Sequence, residues 1–215
     1  VPVKIIGSEK SQPISFRLEF MPVLSTAGCS DIRCHGAPSG KNGFRLSLWG
    51  SNPDLDFRQL THNLYGRRTN SLNPAKRLVL QKALAHIPHV GGRRFRPDSP
   101  YAKLLHDWQA EGLHDDPALV GLRSLTITPS LRVLNAPARW QQLAAHATFD
   151  DGSSADVTQL TTFSSSDRAV ADVDRTGLVE FKGQGEVAIL CRFLGRMESV
   201  RLMHIAAPPA GYQWP

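Results

Sequence analysis

The spacing of apolar residues divides the chain in two. Before residue 117 it follows a helical period. Phe16, Phe20, Val23 and Leu24 recur at i, i+4, i+7 and i+8, which predicts a helix over 16–27 that Gly28 can end. Residues 74–84 predict a second helix, with Leu78, Leu80 and Leu84 apolar. Ser99-Pro100 is a helix start, a capping side chain followed by proline at the first position. Tyr101, Leu104, Leu105 and Trp108 continue it as a short amphipathic helix ending at Gly112. After residue 117, period-two alternation and β-branched residues take over. They predict strands over 122–128, 140–149, 169–173, 178–181, 186–193 and 198–205, separated by turn residues such as Asp151-Gly152 and Thr176-Gly177. The expected fold is therefore two domains, mainly α over 1–116 and an all-β sandwich over 117–207. Residues 208–215 read as a tail or linker.

Composition narrows this picture. With 41% hydrophobic and 20% charged residues, the 215-residue chain has the make-up of a globular protein. No apolar run reaches the roughly 20 residues that span a bilayer, so no membrane span is expected. The start, 1–8, lacks the basic and apolar regions of a signal peptide. The net charge is +6, and all of the excess lies in the first half: residues 1–116 hold 16 basic and 10 acidic residues, the remainder 9 and 9. A basic half suits an anionic ligand or an acidic partner. No Lys/Arg stripe interleaved with aromatics is present, so nucleic acid is not expected.

Chemistry concentrates at Cys29-Ser-Asp-Ile-Arg-Cys34-His35-Gly36. Two cysteines followed at once by histidine form the pattern of covalent haem attachment, here with four residues between the thiols instead of two. Each thiol can add to one haem vinyl group, and His35 can stand under the iron as proximal ligand. A local disulfide or redox dithiol beside an unrelated histidine fits the bare spacing equally well, and a zinc site would need a fourth ligand. A helix ending at the loop and a second helix at 100–112 favour haem. Residues 22–116 contain no methionine, so histidine is the expected distal ligand. His89, in His86-Ile-Pro-His89-Val-Gly-Gly, is the leading candidate, because the glycines let backbone approach a flat cofactor; His86 and His62 are its rivals. Arg67, Arg68, Arg93 and Arg94 are candidate partners for the haem propionates. Phe44, Leu46, Leu48, Trp49 and Phe95 are candidate walls. Cys191, alone in a strand, reads as a small buried hydrophobe.

These residues also carry two family resemblances. Met21-Pro-Val-Leu-Ser-Thr-Ala-Gly-Cys29, Cys34-His35-Gly36, Gly40-Lys-Asn-Gly-Phe-Arg-Leu-Ser-Leu48, Gly66-Arg-Arg68 and Pro88-His-Val-Gly-Gly-Arg-Arg-Phe95 resemble the planctomycete cytochrome c domain over about 14–113. His62 departs from it, standing where an acidic residue is expected. Leu125-Thr-Ile-Thr-Pro129, 142–153, Asp156-Val-Thr158, Val170-Ala-Asp-Val-Asp174, Gly177-Leu-Val179 and 185–189 resemble the bacterial Ig-like group 2 domain. The first resemblance implies one haem c attached through Cys29 and Cys34 with His35 as proximal ligand, and places His89 in a motif characteristic of the family. The second implies a surface spacer or adhesion domain, and the pair implies further domains downstream.

The leading expectation is thus a periplasmic or otherwise extracytoplasmic monohaem cytochrome c module for electron transfer. It would comprise a mainly-α cytochrome c-like domain and an all-β Ig-like sandwich, serve an acidic redox partner and have no catalytic residues of its own. Two alternatives stand beside it. One is a cell-surface structural or adhesion module with a Cys29–Cys34 disulfide and no haem. The other is a haem enzyme or sensor with an open distal site.

Overall fold

The computed structural model describes residues 13–116 and 121–207. The expected tail at 208–215, and part of the junction near residue 117, lie outside the described residues.

The first half is built from short helices joined by long loops. Ser15 caps a single wide turn over Phe16–Phe20, its side chain accepting from the Leu18 N–H while its own N–H donates to Glu19 at 2.8 Å. That turn runs directly into α1 (Met21–Thr26), with Pro22 in its first turn, where a missing N–H costs nothing. Helix α2 (Pro53–Thr61) is capped by Asn52, and α4 (Pro100–Ala110) by Ser99, each followed by proline. Between them, α3 spans only Leu78–Ala83. Phe16, Phe20 and Trp108 form an aromatic cluster, with Phe20 and Trp108 centroids 4.2 Å apart and Phe57 edge-on to Phe16 at 5.1 Å. The Trp108 indole N–H donates to the His114 carbonyl at 2.9 Å, so the buried ring leaves no polar atom unpaired.

The regular elements of the second half are strands, apart from one short helical turn over Thr158–Leu160. Strand β1 (Leu122–Thr128) pairs antiparallel with β4 (Ala144–Phe149), which pairs with β5 (Ser154–Asp156). A second sheet has the order β2 (Leu131–Asn135), β10 (Arg196–Ile205), β9 (Gly185–Phe193), β6 (Thr162–Ser165), with β2 parallel to β10. A third joins β3 (Trp140–Gln142), β8 (Leu178–Phe181) and β7 (Ala171–Val173). Alternate residues of β9, Val187, Ile189, Cys191 and Phe193, are buried, as a strand with one face on the core requires. Burial, and then Glu198, pushes the Cys191 thiol up to about 12, which keeps it neutral.

Two separate apolar cores result, one under α1, α2 and α4 and one between the sheets. Leu160 packs against both. The halves also meet where the Tyr101 hydroxyl donates to the Gln159 side chain at 2.9 Å and where the Arg192 guanidinium lies 4.9 Å over the Trp49 ring.

The expected fold class needs correction. The first half is not a mainly-α cytochrome-like domain: its four α-helices run 6 to 11 residues, and the described chain is β-rich, with ten strands. The single helix expected over 74–84 is broken at Arg77, which is extended at ψ 154. In the second half the strands form three sheets of three, four and three strands, not the expected two-sheet Ig-like sandwich. Three short strands, β2, β5 and β6, carry too few alternating positions to stand out in sequence.

Candidate functional site

The helix end and loop after α1 are shaped by hydrogen bonds that a sequence can encode locally. Gly28 turns left-handed at φ +76, and the Cys29 N–H donates back to the Leu24 carbonyl at 2.9 Å, a helix C-cap that delivers Cys29 at the loop start. The Cys34 N–H donates to the Asp31 carbonyl at 2.9 Å and the His35 N–H to the Cys29 carbonyl at 3.0 Å, knitting 29–36 into a closed knot. Gly36 is demanded by this knot, because a Cβ there would overlap the Ser30 carbonyl. Both cysteines are free thiols, so the disulfide of the alternative reading is not formed here.

This knot forms one wall of a cavity of about 880 Å³. Cys29, Cys34, His35, Arg67, Arg68, His89 and Arg94 all line it. Arg93, exposed on the same loop as His89, does not line it, and neither do His62 or His86. The His62 Nδ1 lies 2.6 Å from the Thr61 hydroxyl. Of the candidate wall residues, Phe44 and Leu46 line the cavity, while Leu48, Trp49 and Phe95 do not. Sequence reasoning missed Arg33, Lys41 and Lys82, and the apolar walls Leu24, Leu78, Val79 and Ala83. The basic excess of the first half was the available signal, but it named no positions.

The His35 Nδ1 lies 3.1 Å from the Phe44 carbonyl, and the His89 Nδ1 lies 2.9 Å from that of Gly92. A carbonyl can only accept, so both rings carry their proton on Nδ1 when neutral and leave Nε2 a lone pair. Burial is the largest effect on His35 and lowers its pKa, with the nearby His89, Lys41 and Arg68 acting in the same sense against the Phe44 bond. Burial likewise pushes the Cys29 thiol up to about 11, opposed by Arg94. One Arg94 nitrogen lies 3.5 Å from the Cys34 sulfur, and the Arg94 N–H donates to the Ala83 carbonyl at 2.7 Å. Arg68 is buried at 5% exposure, donating to the Gln59, Asn63 and Gly43 carbonyls at 2.9, 3.3 and 2.6 Å and stacking 4.5 Å over Phe44. Its guanidinium is committed to the protein itself and not to a ligand. Six cations and one carboxylate, Asp31, therefore line the space, together with Asn42, the two imidazoles, the two thiols and apolar walls.

No known protein-family model matches the chain, and no curated protein does. Among solved structures it is similar to domains 4 and 5 of the S-layer protein SbsC, at 11% identity and a TM-score of 0.36. That likeness covers 41% of this chain and 54% of the other. Domains 1–6 of the surface layer protein SbsC are similar at 14% identity and a TM-score of 0.37, over 44% of this chain and 14% of that one. The chain thus spans about half of the first structure and a small part of the second, and likeness at these TM-scores decides neither fold nor function.

The cofactor expectation is corrected accordingly. Neither the planctomycete cytochrome c domain nor the Ig-like group 2 domain is returned as a match. Among the described residues, no group of three or more His, Cys, Asp and Glu side chains is placed to hold a metal ion. A covalently attached haem c, iron between His35 and His89 and an electron-transfer role are not supported. Cys29, Cys34, His35 and His89 line one space, but proximity by itself does not specify what fills it. No helix among the described residues is long and apolar enough to cross a membrane.

Proposed function

We propose that the chain is an extracytoplasmic structural module of the cell surface, with a first unit over 1–116 that binds a small molecule and a second, all-β unit over 117–207 that carries it. The ligand has an apolar body and one or more anionic groups. One observation carries the ligand-binding part of this reading: the 880 Å³ cavity sets six cations and a single carboxylate around walls of Leu24, Phe44, Leu46, Leu78 and Val79. An apolar pocket with few convergent polar groups is the usual form of a small-molecule site. Here the charged side chains are all cations but for Asp31. Arg67 and Arg94 hold the anionic group, Arg68 fixes the wall by stacking on Phe44, and Cys29, Cys34, His35 and His89 line the remaining surface.

The test is a pair of fluorescent probes of similar size, anionic 8-anilinonaphthalene-1-sulfonate and neutral N-phenyl-1-naphthylamine. The anionic probe binds more tightly, its affinity falls with salt, and Arg67→Ala with Arg94→Ala weakens it about tenfold or more, the worth of a charged hydrogen bond. Equal affinity for the two probes, or no effect of the substitutions, overturns the reading.

A further inference from the structure

Three loops border the mouth of the cavity, and each shows the same order of residues: an exposed apolar tip followed within three positions by arginine. In the first, Ile32 is 59% exposed and precedes Arg33. In the second, Tyr65 is fully exposed and stands two before Arg67. In the third, Val90 is 90% exposed and stands three before Arg93. Arg33, Arg67 and Val90 line the cavity itself, so all three loops edge the same cavity. The second tip is held out by its backbone: Leu64, Tyr65 and Gly66 are all left-handed, at φ 54, 58 and 64, a knuckle that lifts the tyrosine off the body. Among the described residues no carboxylate lies within ion-pair distance of Arg67 or Arg93; Arg33 alone has one, Asp31 at 3.2 Å.

We propose that this mouth docks on an anionic lipid surface, with Ile32, Tyr65 and Val90 entering the headgroup layer and Arg33, Arg67 and Arg93 lying against the phosphates. The chemistry is that of peripheral membrane attachment, in which apolar area reaches the boundary of the acyl chains while adjacent cations meet the surface charge. A folded protein partner fits less well. The tips stand apart around an opening, whereas a specific protein interface needs a continuous surface of roughly 800 Å² on each side. Arg67 is shared with the cavity, so docking is tested with the cavity empty, and it presents the cavity mouth to the bilayer.

The experiment is co-sedimentation of the full chain with vesicles of phosphatidylcholine alone and of phosphatidylcholine mixed with phosphatidylglycerol, with no cavity ligand added. Binding to the mixed vesicles, weakening as salt rises, is the expected result. Arg33→Ala, Arg67→Ala and Arg93→Ala together lower the partition coefficient about 100-fold, about fivefold for each cation near an anionic surface. Val90→Asp alone, at an exposed tip where folding is not at stake, also reduces binding while circular dichroism is unchanged. Equal sedimentation with both vesicles, or with neither, overturns the proposal. So does binding to polyglutamate that is as tight as binding to lipid and indifferent to Val90→Asp, which would identify an acidic protein as the occupant. Probe binding in solution is measured without vesicles, so failure of one proposal is separable from failure of the other.

Discussion

Asp56 shows how one residue can couple pH to stability. It is fully buried on α2 and accepts from the Ser47 N–H at 2.6 Å and the Ser47 hydroxyl at 2.5 Å. Burial pushes its pKa up to about 6, with the two Ser47 bonds and then Arg45 acting against that rise. The folded protein therefore holds this proton more tightly than the unfolded chain, whose aspartate titrates near 3.9. The stabilisation is complete below pH of about 4, is lost as pH rises to about 6 and is flat above, a change on the order of 2–3 kcal/mol. Urea midpoints between those pH values should fall with rising pH in the native protein and lose most of that slope in Asp56→Asn. Arg68 offers a second residue-level test. Its guanidinium serves three backbone carbonyls and Phe44, so Arg68→Ala should cost roughly 2–4 kcal/mol by leaving acceptors unpaired. Arg68→Lys should recover little, since an ammonium cannot reproduce the planar fork; chemical denaturation of the two variants decides this.

At the scale of elements, the loop 29–36 and the aromatic cluster carry different risks. The knot around Cys29 and His35 closes against the backbone of Ser30, which leaves no room for a side chain at Gly36. Gly36→Ala should distort the loop and abolish probe binding while α4 and the sheets persist, a separation that amide exchange can read. Trp108 is fully buried against Phe16 and Phe20, and Trp108→Ala should cost about 3–5 kcal/mol, measurable as a lowered denaturation midpoint. The elements differed in how readable they were. The signal for α4 was complete in Ser99-Pro100 and the apolar spacing that follows, and β1 and β8 coincide with the alternation over 122–128 and 178–181. By contrast α2 went unread, although Asn52-Pro53-Asp54 carries a cap, a proline and an acidic first turn. Its mean apolarity is low, and capping residues alone are weak evidence without a hydrophobic stripe.

At the scale of the whole molecule, the two cores meet at Leu160, which packs against both, with Leu18 of the first half also against the sheet core and polar contacts such as Tyr101 to Gln159 beside them. The sheet side also reaches the cavity, because an Arg175 nitrogen donates to the Arg94 carbonyl at 3.2 Å. Calorimetry should show one unfolding transition for the native chain. Leu160→Glu should split it into two by placing a charge where both cores meet, since contacts across such a junction decide whether units unfold together.

Local order was what the sequence by itself determined: where α4 starts, that strands follow residue 117, and that Cys29, Cys34 and His35 share one loop. Each depends on residues a few positions apart, so period and capping chemistry suffice. Only the tertiary structure decided that Arg33, Lys41, Arg67, Lys82 and Arg94 converge on one cavity, that Arg68 is spent on carbonyls and that Arg93 stands exposed outside the lining. Those placements depend on packing between segments 25 to 60 residues apart, as in the contacts of Arg68 with Gly43 and of Arg94 with Cys34. The expected cofactor failed for the same reason: a spacing of thiols and imidazole specifies which atoms are near one another, whereas the identity of a ligand depends on the volume, charge and walls that distant segments supply.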